Sequence, residues 1–339
     1  MYDPSDVGKK GSLFGLPYSL SESNLILLPV NLDVTASYGD GTAESPGVML
    51  DESSQLDLSL PRIERPWEMK MAIADRFISR EDNNRYRNLA KKVIDDLESR
   101  IPASENASLL SEVNTFCESV QRQVEQQCNE WLDQEKTVGI IGGDHSSPLG
   151  LIKALSARGE FSILQIDAHM DLRKDYEGFT YSHASIMHYA LQCEGVSSLT
   201  QVGIRDYSEA EENYVKNTTK PIHIFWDESL FEETVNGVTW KQQVEQIIKS
   251  LSNNVYISFD IDGLDPSLCP NTGTPVPGGL KFNEVAFLLH ELAKSGKKII
   301  GFDLCEVGNR AWDANVGARI LYRLAATLGV TQKFLKFKR

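Results

Sequence analysis

The sequence is short of cysteine, of histidine and of long apolar runs. Its five cysteines, Cys117, Cys128, Cys193, Cys269 and Cys305, are odd in number and form no CxxC pair. That pattern offers neither a disulfide framework nor a thiolate zinc cage, and it points to a reduced, cytoplasmic setting. Cys117 and Cys128 fall on one face of a predicted helix, but at 1.5 Å per residue they stand about 16 Å apart, too far to be bridged. No stretch approaches the roughly 18 apolar residues of a membrane span. The opening MYDPSDVGKKGSLFGLPYS lacks the apolar core of a signal peptide, so no membrane association is expected. Basic residues are also scarce. With 34 Lys and Arg against 48 Asp and Glu, the net charge is −14, which argues against a nucleic-acid role and mildly favours cationic substrates. Linkers, repeats and low-complexity segments are missing too. A single domain is therefore expected over residues 23–339, behind an N-terminal extension at 1–22.

What the chain does contain is a repeated alternation. Short apolar runs at 24–30, 137–143, 161–167, 199–205, 221–226, 254–260 and 297–304 are separated by helical patterns. The helical patterns lie at 85–99, 107–134, 148–158, 183–193, 207–217, 240–252, 282–295 and 313–328. Several runs are apolar without strict alternation, as in strands buried on both faces. The order predicts a three-layer α/β/α fold with a mostly parallel central sheet. Residues 34–69 read as a long polar loop near a binding mouth. The basic tail KFLKFKR reads as a frayed, solvated end.

Chemistry concentrates where four of these strands end, in GGDHS (142–146), DAHMD (167–171), SFDIDGLDP (258–266) and DLCEVGN (303–309). In open α/β sheets, sites form in the crevice beyond the carboxyl ends of the strands. Asp167, His169 and Asp171 alternate with Ala168 and Met170, so an extended chain aims all three at one point. Together with His145, Asp260 and Asp262 they make an oxygen-rich set with two imidazoles. Burying that many carboxylates without cations would be prohibitive. Such a set suits a hard to borderline ion such as Mn²⁺, and six side chains are more than one tetrahedral zinc needs, so two ions sharing carboxylates are expected. Asp144 is read as a loop brace and Asp265 as a turn residue. His188, His223 and His290 carry no motif and are read as structural.

These four strings resemble the ureohydrolase family of arginases, agmatinases, guanidinobutyrases and formimidoylglutamases, over residues 24–330. NTGTPVPGGL (271–280) is similar to agmatinase-type members in particular. The resemblance implies two Mn²⁺ per chain, with Ni²⁺ or another divalent ion as a substitute. His145, Asp167, Asp171 and Asp260 would hold one ion; Asp167, His169, Asp260 and Asp262 would hold the other. Asp171 would also hydrogen-bond the bridging hydroxide that attacks the guanidinium carbon. Glu306 matches the family's guanidinium-binding acid, and His183 its proton-shuttling loop histidine. Both roles make chemical sense, since a carboxylate is the natural partner of a guanidinium and an imidazole can pass a proton to a leaving amine near pH 7. The expected assembly is a homotrimer or homohexamer.

The substrate is expected to be a small guanidino or formimino compound. Arg173, two residues after Asp171, can clamp a carboxylate tail, and its DLR string resembles formimidoylglutamases, which would release formamide and glutamate. YSHAS (181–185) and GTPVPGG (273–279) instead resemble agmatinase-type enzymes of polyamine metabolism, whose substrate is a cation. A single-zinc deacetylase on a related fold would use adjacent histidines, and the chain has none. A non-catalytic scaffold would have lost ligands, and none is lost.

Overall fold

A computed structural model describes all residues except 1, 2, 5–8, 10, 40, 77 and 339. Its strands are β1 (Leu25–Val30), β2 (Ile63–Glu64), β3 (Met71–Ile73), β4 (Thr137–Gly142), β5 (Phe161–Ile166), β6 (Val196–Ile204), β7 (Ile222–Trp226), β8 (Asn254–Asp260), β9 (Lys298–Cys305) and β10 (Lys336–Phe337). Eight of them form one sheet in the order β3-β1-β4-β9-β8-β5-β6-β7. Every pairing in that sheet is parallel.

The near-continuous apolar runs are explained by burial on both faces. In β5, Phe161 and Ile163 join the core on one side of the sheet, while Leu164 and Ile166 join the core on the other. The first core is covered by Ala107–Leu132 and Leu149–Ser156, the second by Phe282–Lys294 and Ala311–Thr331. Val113, Cys117, Val120, Val124 and Cys128 are buried along one stripe of Ala107–Leu132, at the spacing of a helical face. Both cysteines there are free thiols.

The expected α/β/α architecture is the one observed, with local differences. The segment 34–69 is not all loop, since it holds the helix Ser45–Ser53, whose start carries Pro46, a residue preorganised for a first turn. A further helix, Asp227–Val235, follows β7 with no intervening loop. The tail is not frayed, since Lys336 and Phe337 pair antiparallel with Glu64 and Ile63. Leu335 is buried just ahead of that ribbon. Within 1–22, Leu13, Phe14 and Leu16 pack into the core. Among the described residues, no helix is long and apolar enough to cross a membrane.

The sheet order matters for the chemistry. The four motif strings follow β4, β9, β8 and β5, which are the four neighbouring strands at the sheet's centre. Parallel strands place all four ends on one edge. Backbones come very close there: a Cβ at Gly263 would lie 2.6 Å from the Asp167 amide nitrogen and 2.9 Å from the Ile166 carbonyl carbon. Gly263→Ala is therefore expected to cost about 1–3 kcal/mol of stability through a shifted backbone at Asp167. Urea unfolding would measure it, and an unchanged midpoint would show that the two strand ends do not depend on this approach.

Candidate metal centre

The alternation in β5 and its extension sends Asp167 toward two imidazoles at once. His145, in the loop after β4, brings Nδ1 to 3.0 Å from Asp167 Oδ2, 2.9 Å from Asp171 Oδ2 and 3.4 Å from Asp260 Oδ2. On the other side, His169 Nδ1 lies 3.0 Å from Asp262 Oδ2 and 3.6 Å from Asp167 Oδ1. Two donor triads result, His145/Asp167/Asp260 and Asp167/His169/Asp262, each compact enough to hold one ion. All six residues that the sequence singled out as ligands converge here, with Asp167 common to both triads.

The donor arrangement fits cations better than it fits itself. His145 Nδ1 is buried and makes no aligned hydrogen bond, although three carboxylate oxygens surround it. Donor atoms gathered this closely are the pattern expected where a shared cation is the partner. Before an ion binds, protons must do the neutralising. Burial penalises charge throughout, yet the close Asp167 and Asp171 carboxylates, with Coulombic attraction from Asp167 and Asp260, raise His145 well above its ordinary value. His169 is likewise raised to about 12 by Asp262 and Asp167 in spite of burial. Burial and the neighbouring Asp167 carboxylate lift Asp171 to about 7. Asp167 goes the other way, held low by the two imidazoles against its burial.

Backbone strain sits at two of the site positions. Asp171 and Glu306 both have positive φ, 55° and 59°. For residues with side chains, that region costs about 1–3 kcal/mol. Each is over-determined by hydrogen bonds. The Asp171 carbonyl accepts the amides of Met187 and His188 at 3.0 and 3.2 Å, and the Glu306 amide donates to Gly143 O at 2.7 Å. Thr272 Oγ1 donates to the Glu306 carbonyl at 2.8 Å.

The structure sets the second group of expected residues around this centre. Glu306 Oε1 accepts the His145 amide at 3.0 Å, while Oε2 is buried without a partner and faces Gly273. Burial and the nearby Asp144 and Asp262 push the Glu306 carboxyl well up. A cavity of about 400 Å³ opens over His169 and Asp171, with His183, Tyr176, Tyr38 and Asp206 on its walls. Burial, with His169 and His145 nearby, lowers His183 to about 3, so it is neutral at pH 7. Ser37 and Tyr38 come from the 34–69 segment expected near a binding mouth. Arg173 also reaches this cavity, but its guanidinium is engaged. Nε lies 3.6 Å from Glu211 Oε2, and the group stacks 4.8 Å over the Tyr176 ring. Glu211 is itself fixed in the capping box of the helix Glu209–Asn217, where it accepts the Ser208 amide and hydroxyl.

Asp144 accepts the Ser146 amide and hydroxyl, and Asp265 accepts the Ser267 amide, as expected of a brace and a turn. His188 packs against Tyr189 and Tyr214, His290 against Phe337, and His223 is exposed on the edge strand β7.

Sequence reasoning missed the supports behind the ligands. His145 Nε2 lies 2.9 Å from Ser258 Oγ and 3.7 Å from Asp303 Oδ1. Asp303 in turn accepts the Tyr256 hydroxyl at 2.8 Å and the Phe259 amide at 3.1 Å. Gln165 Nε2 donates to Asp167 Oδ2 at 2.7 Å. The period-two spacing was a usable signal, because Ser258 stands two residues before Asp260 and Gln165 two before Asp167. Such supports fix a ligand's ring orientation and tautomer.

Two outcomes follow from this geometry. Ser258→Ala is expected to weaken divalent-ion binding about 10–100-fold with the fold intact, measured by chelator competition. Because His145 and His169 carry protons that an ion must replace, adding Mn²⁺ to metal-free protein at pH 7 should release more than one proton per chain, and affinity should fall as pH drops through about 7, where Asp171 takes up its proton. Calorimetry in buffers of different ionisation enthalpy would count the protons. Release of none would mean that the imidazoles are neutral before binding.

Comparison with known proteins accords with this geometry. A profile described as Arginase, the arginase family, matches residues 23–328. The chain is 29% identical over 322 residues to an N(1)-aminopropylagmatine ureohydrolase of Thermus thermophilus, covering 94% of each. It is 32% identical over 186 residues to an agmatinase of Bacillus subtilis, covering 54% of this chain and 60% of the other. Among solved structures, the agmatine ureohydrolase of Thermoplasma volcanium superposes with a TM-score of 0.71 at 23% identity, covering 95% and 96% of the two chains. An arginase from Medicago truncatula superposes with a TM-score of 0.64 at 24% identity, covering 90% and 87%. By fold, by the extent of the profile match and by the sequence strings at the four central strand ends, the chain belongs to the arginase family, hydrolases that act on the C–N bonds of guanidino compounds.

Proposed function

We propose that this chain is a binuclear-metal amidinohydrolase that converts a guanidino compound with a cationic tail, agmatine or its aminopropyl derivative, to urea and an amine. The observation that carries the binuclear reading is Asp167, one carboxylate common to two complete donor triads. Mn²⁺ suits a set of two imidazoles and four carboxylates, with Ni²⁺ as a substitute. His145, Asp167, Asp171 and Asp260 would hold one ion, and Asp167, His169, Asp260 and Asp262 the other. When bound, the pair supplies Lewis acidity and brings the pKa of water toward neutrality.

The protein's own groups do the rest. The unpartnered Glu306 Oε2 is a buried acceptor next to the ligands, and a planar cation is its natural complement. It would hold the guanidinium so that the central carbon faces the ions. Asp171 would orient the attacking water by accepting its hydrogen. His183 lines the cavity beside Asp171 and would pass a proton to the departing nitrogen. Water and the guanidinium give urea and the ammonium form of the amine, which balances atoms and charge.

The tail reading rests on Arg173. Its guanidinium is held beside Glu211 and stacked on Tyr176, an arrangement that opposes its use as a clamp for a carboxylate. The exposed carboxylate of Asp206 and the rings of Tyr38 and Tyr207 line the same cavity and suit a distal ammonium. The relatives named as aminopropylagmatine and agmatine enzymes agree with this choice. A homotrimer or homohexamer in the cytoplasm remains part of the proposal, to be checked by sedimentation.

With Mn²⁺ supplied, urea is expected from agmatine or aminopropylagmatine in preference to guanidinobutyrate, and no formamide from formimidoylglutamate. Absence of urea from the whole panel would sink the amidinohydrolase reading, and preference for an acidic substrate would sink only the tail reading. Glu306→Gln should lower kcat/KM by at least about a hundredfold through loss of a buried charged partner. Arg173→Ala should change KM for agmatine less than about fivefold, the scale of a half-exposed ion pair.

A further inference from the structure

Far from the metal centre, the ribbon of β2 and β10 stands off the helices Phe282–Lys294 and Ala311–Thr331 and leaves a cavity of about 300 Å³ between them. That volume is at the lower end of the range for small-molecule sites. Its walls are apolar, with Phe287, Ala293 and Phe337 prominent, and its polar groups are chiefly Arg62, His290 and Arg323. Among the described residues no acidic one lines it, in a chain where acids outnumber bases 48 to 34.

Arg323 is the informative group. It is half-buried and its guanidinium carbon stacks 5.2 Å over the Phe282 ring. Burial and the neighbouring Arg319 both work against its charge, and no carboxylate offsets them. Among the described residues neither Arg62 nor Arg323 forms an ion pair. The acid close by is Glu291, 3.9 Å from His290 Nε2, and it is engaged by Lys294 Nζ at 3.1 Å. Half-buried cations are normally paired, so a guanidinium left over in an apolar cleft calls for an anion from outside.

We propose that this cleft binds a small amphipathic carboxylate, its apolar body between Phe287 and Phe337 and its head on Arg323 and Arg62. The occupant is identified by charge complementarity. Two arginines at one mouth reject an amine, while the apolar wall rejects a small hydrophilic anion. A second copy of the chain docked symmetrically here would bring cations toward cations, which is unfavourable. The proposal is independent of the reaction at the metal centre.

The test uses the full-length, metal-loaded protein with octanoate as probe, and octylamine and acetate as controls. Octanoate is expected to bind saturably at one site per chain by calorimetry and to raise the thermal midpoint, with neither control doing so. Arg323→Gln should weaken octanoate binding about tenfold or more. Ala286→Leu, which keeps both arginines and fills the cavity, should abolish it with an unchanged circular dichroism spectrum. Equal binding of octanoate and octylamine, no saturable binding, or unaltered affinity in both variants would overturn the assignment. So would sedimentation showing that either variant dissociates an oligomer, because the face would then be an interface between copies.

Discussion

Four carboxylates and two imidazoles crowd one buried crevice, and the rest of the structure is arranged around the repulsion this creates. Without ions, the imbalance is carried by protons, which is why His145 and His169 are pushed up and Asp171 sits near 7. Desolvation alone would drive the whole cluster neutral and let the loops relax outward. They do not, because the ligands are mounted on the ends of four adjacent parallel strands whose lower parts are packed on both faces. The core clusters thus hold like charges in place until cations arrive. This is the sense in which such a site is preorganised.

Strain is distributed by the same logic. The left-handed backbone at Asp171 and Glu306 turns each carboxylate back into the crevice just after its strand has ended. Both positions are pinned by main-chain hydrogen bonds to other elements, Met187 and His188 for one and Gly143 for the other. The link from Asp171 to the segment after His183 joins the crevice to the cavity wall that carries that histidine.

Much of this was legible in the sequence, for identifiable reasons. Strand-end motifs could be read because period-two spacing and apolar runs are strong local signals, so the architecture and the six residues that converge at the strand ends are legible in the sequence. The short edge strand at 71–73 could not be read, since three residues give no period. The tail misled because its alternation of lysine and aromatic residues reads as solvated until a partner strand at 63–64 is supplied from across the chain. Tertiary supports such as Asp303, and positive φ at Asp171, have no composition signature at all. Arg173 shows the limit most clearly: the residue was visible, but the carboxylate that occupies it lies 38 positions away on another helix.

That last pairing has a consequence for how the fold diversifies. The charge preference of the cavity is not written into the metal crevice, which must stay constant for the chemistry. In the proposed reading it depends on which partner holds one guanidinium at the rim. While Glu211 retains it, Arg173 is paired at the mouth and Asp206 stands exposed, 3.8 Å from His169 Nε2. Release of that arginine would turn the entrance toward anions without moving any of the six crevice residues, so small edits on the helix after β6 would suffice to change what the mouth admits.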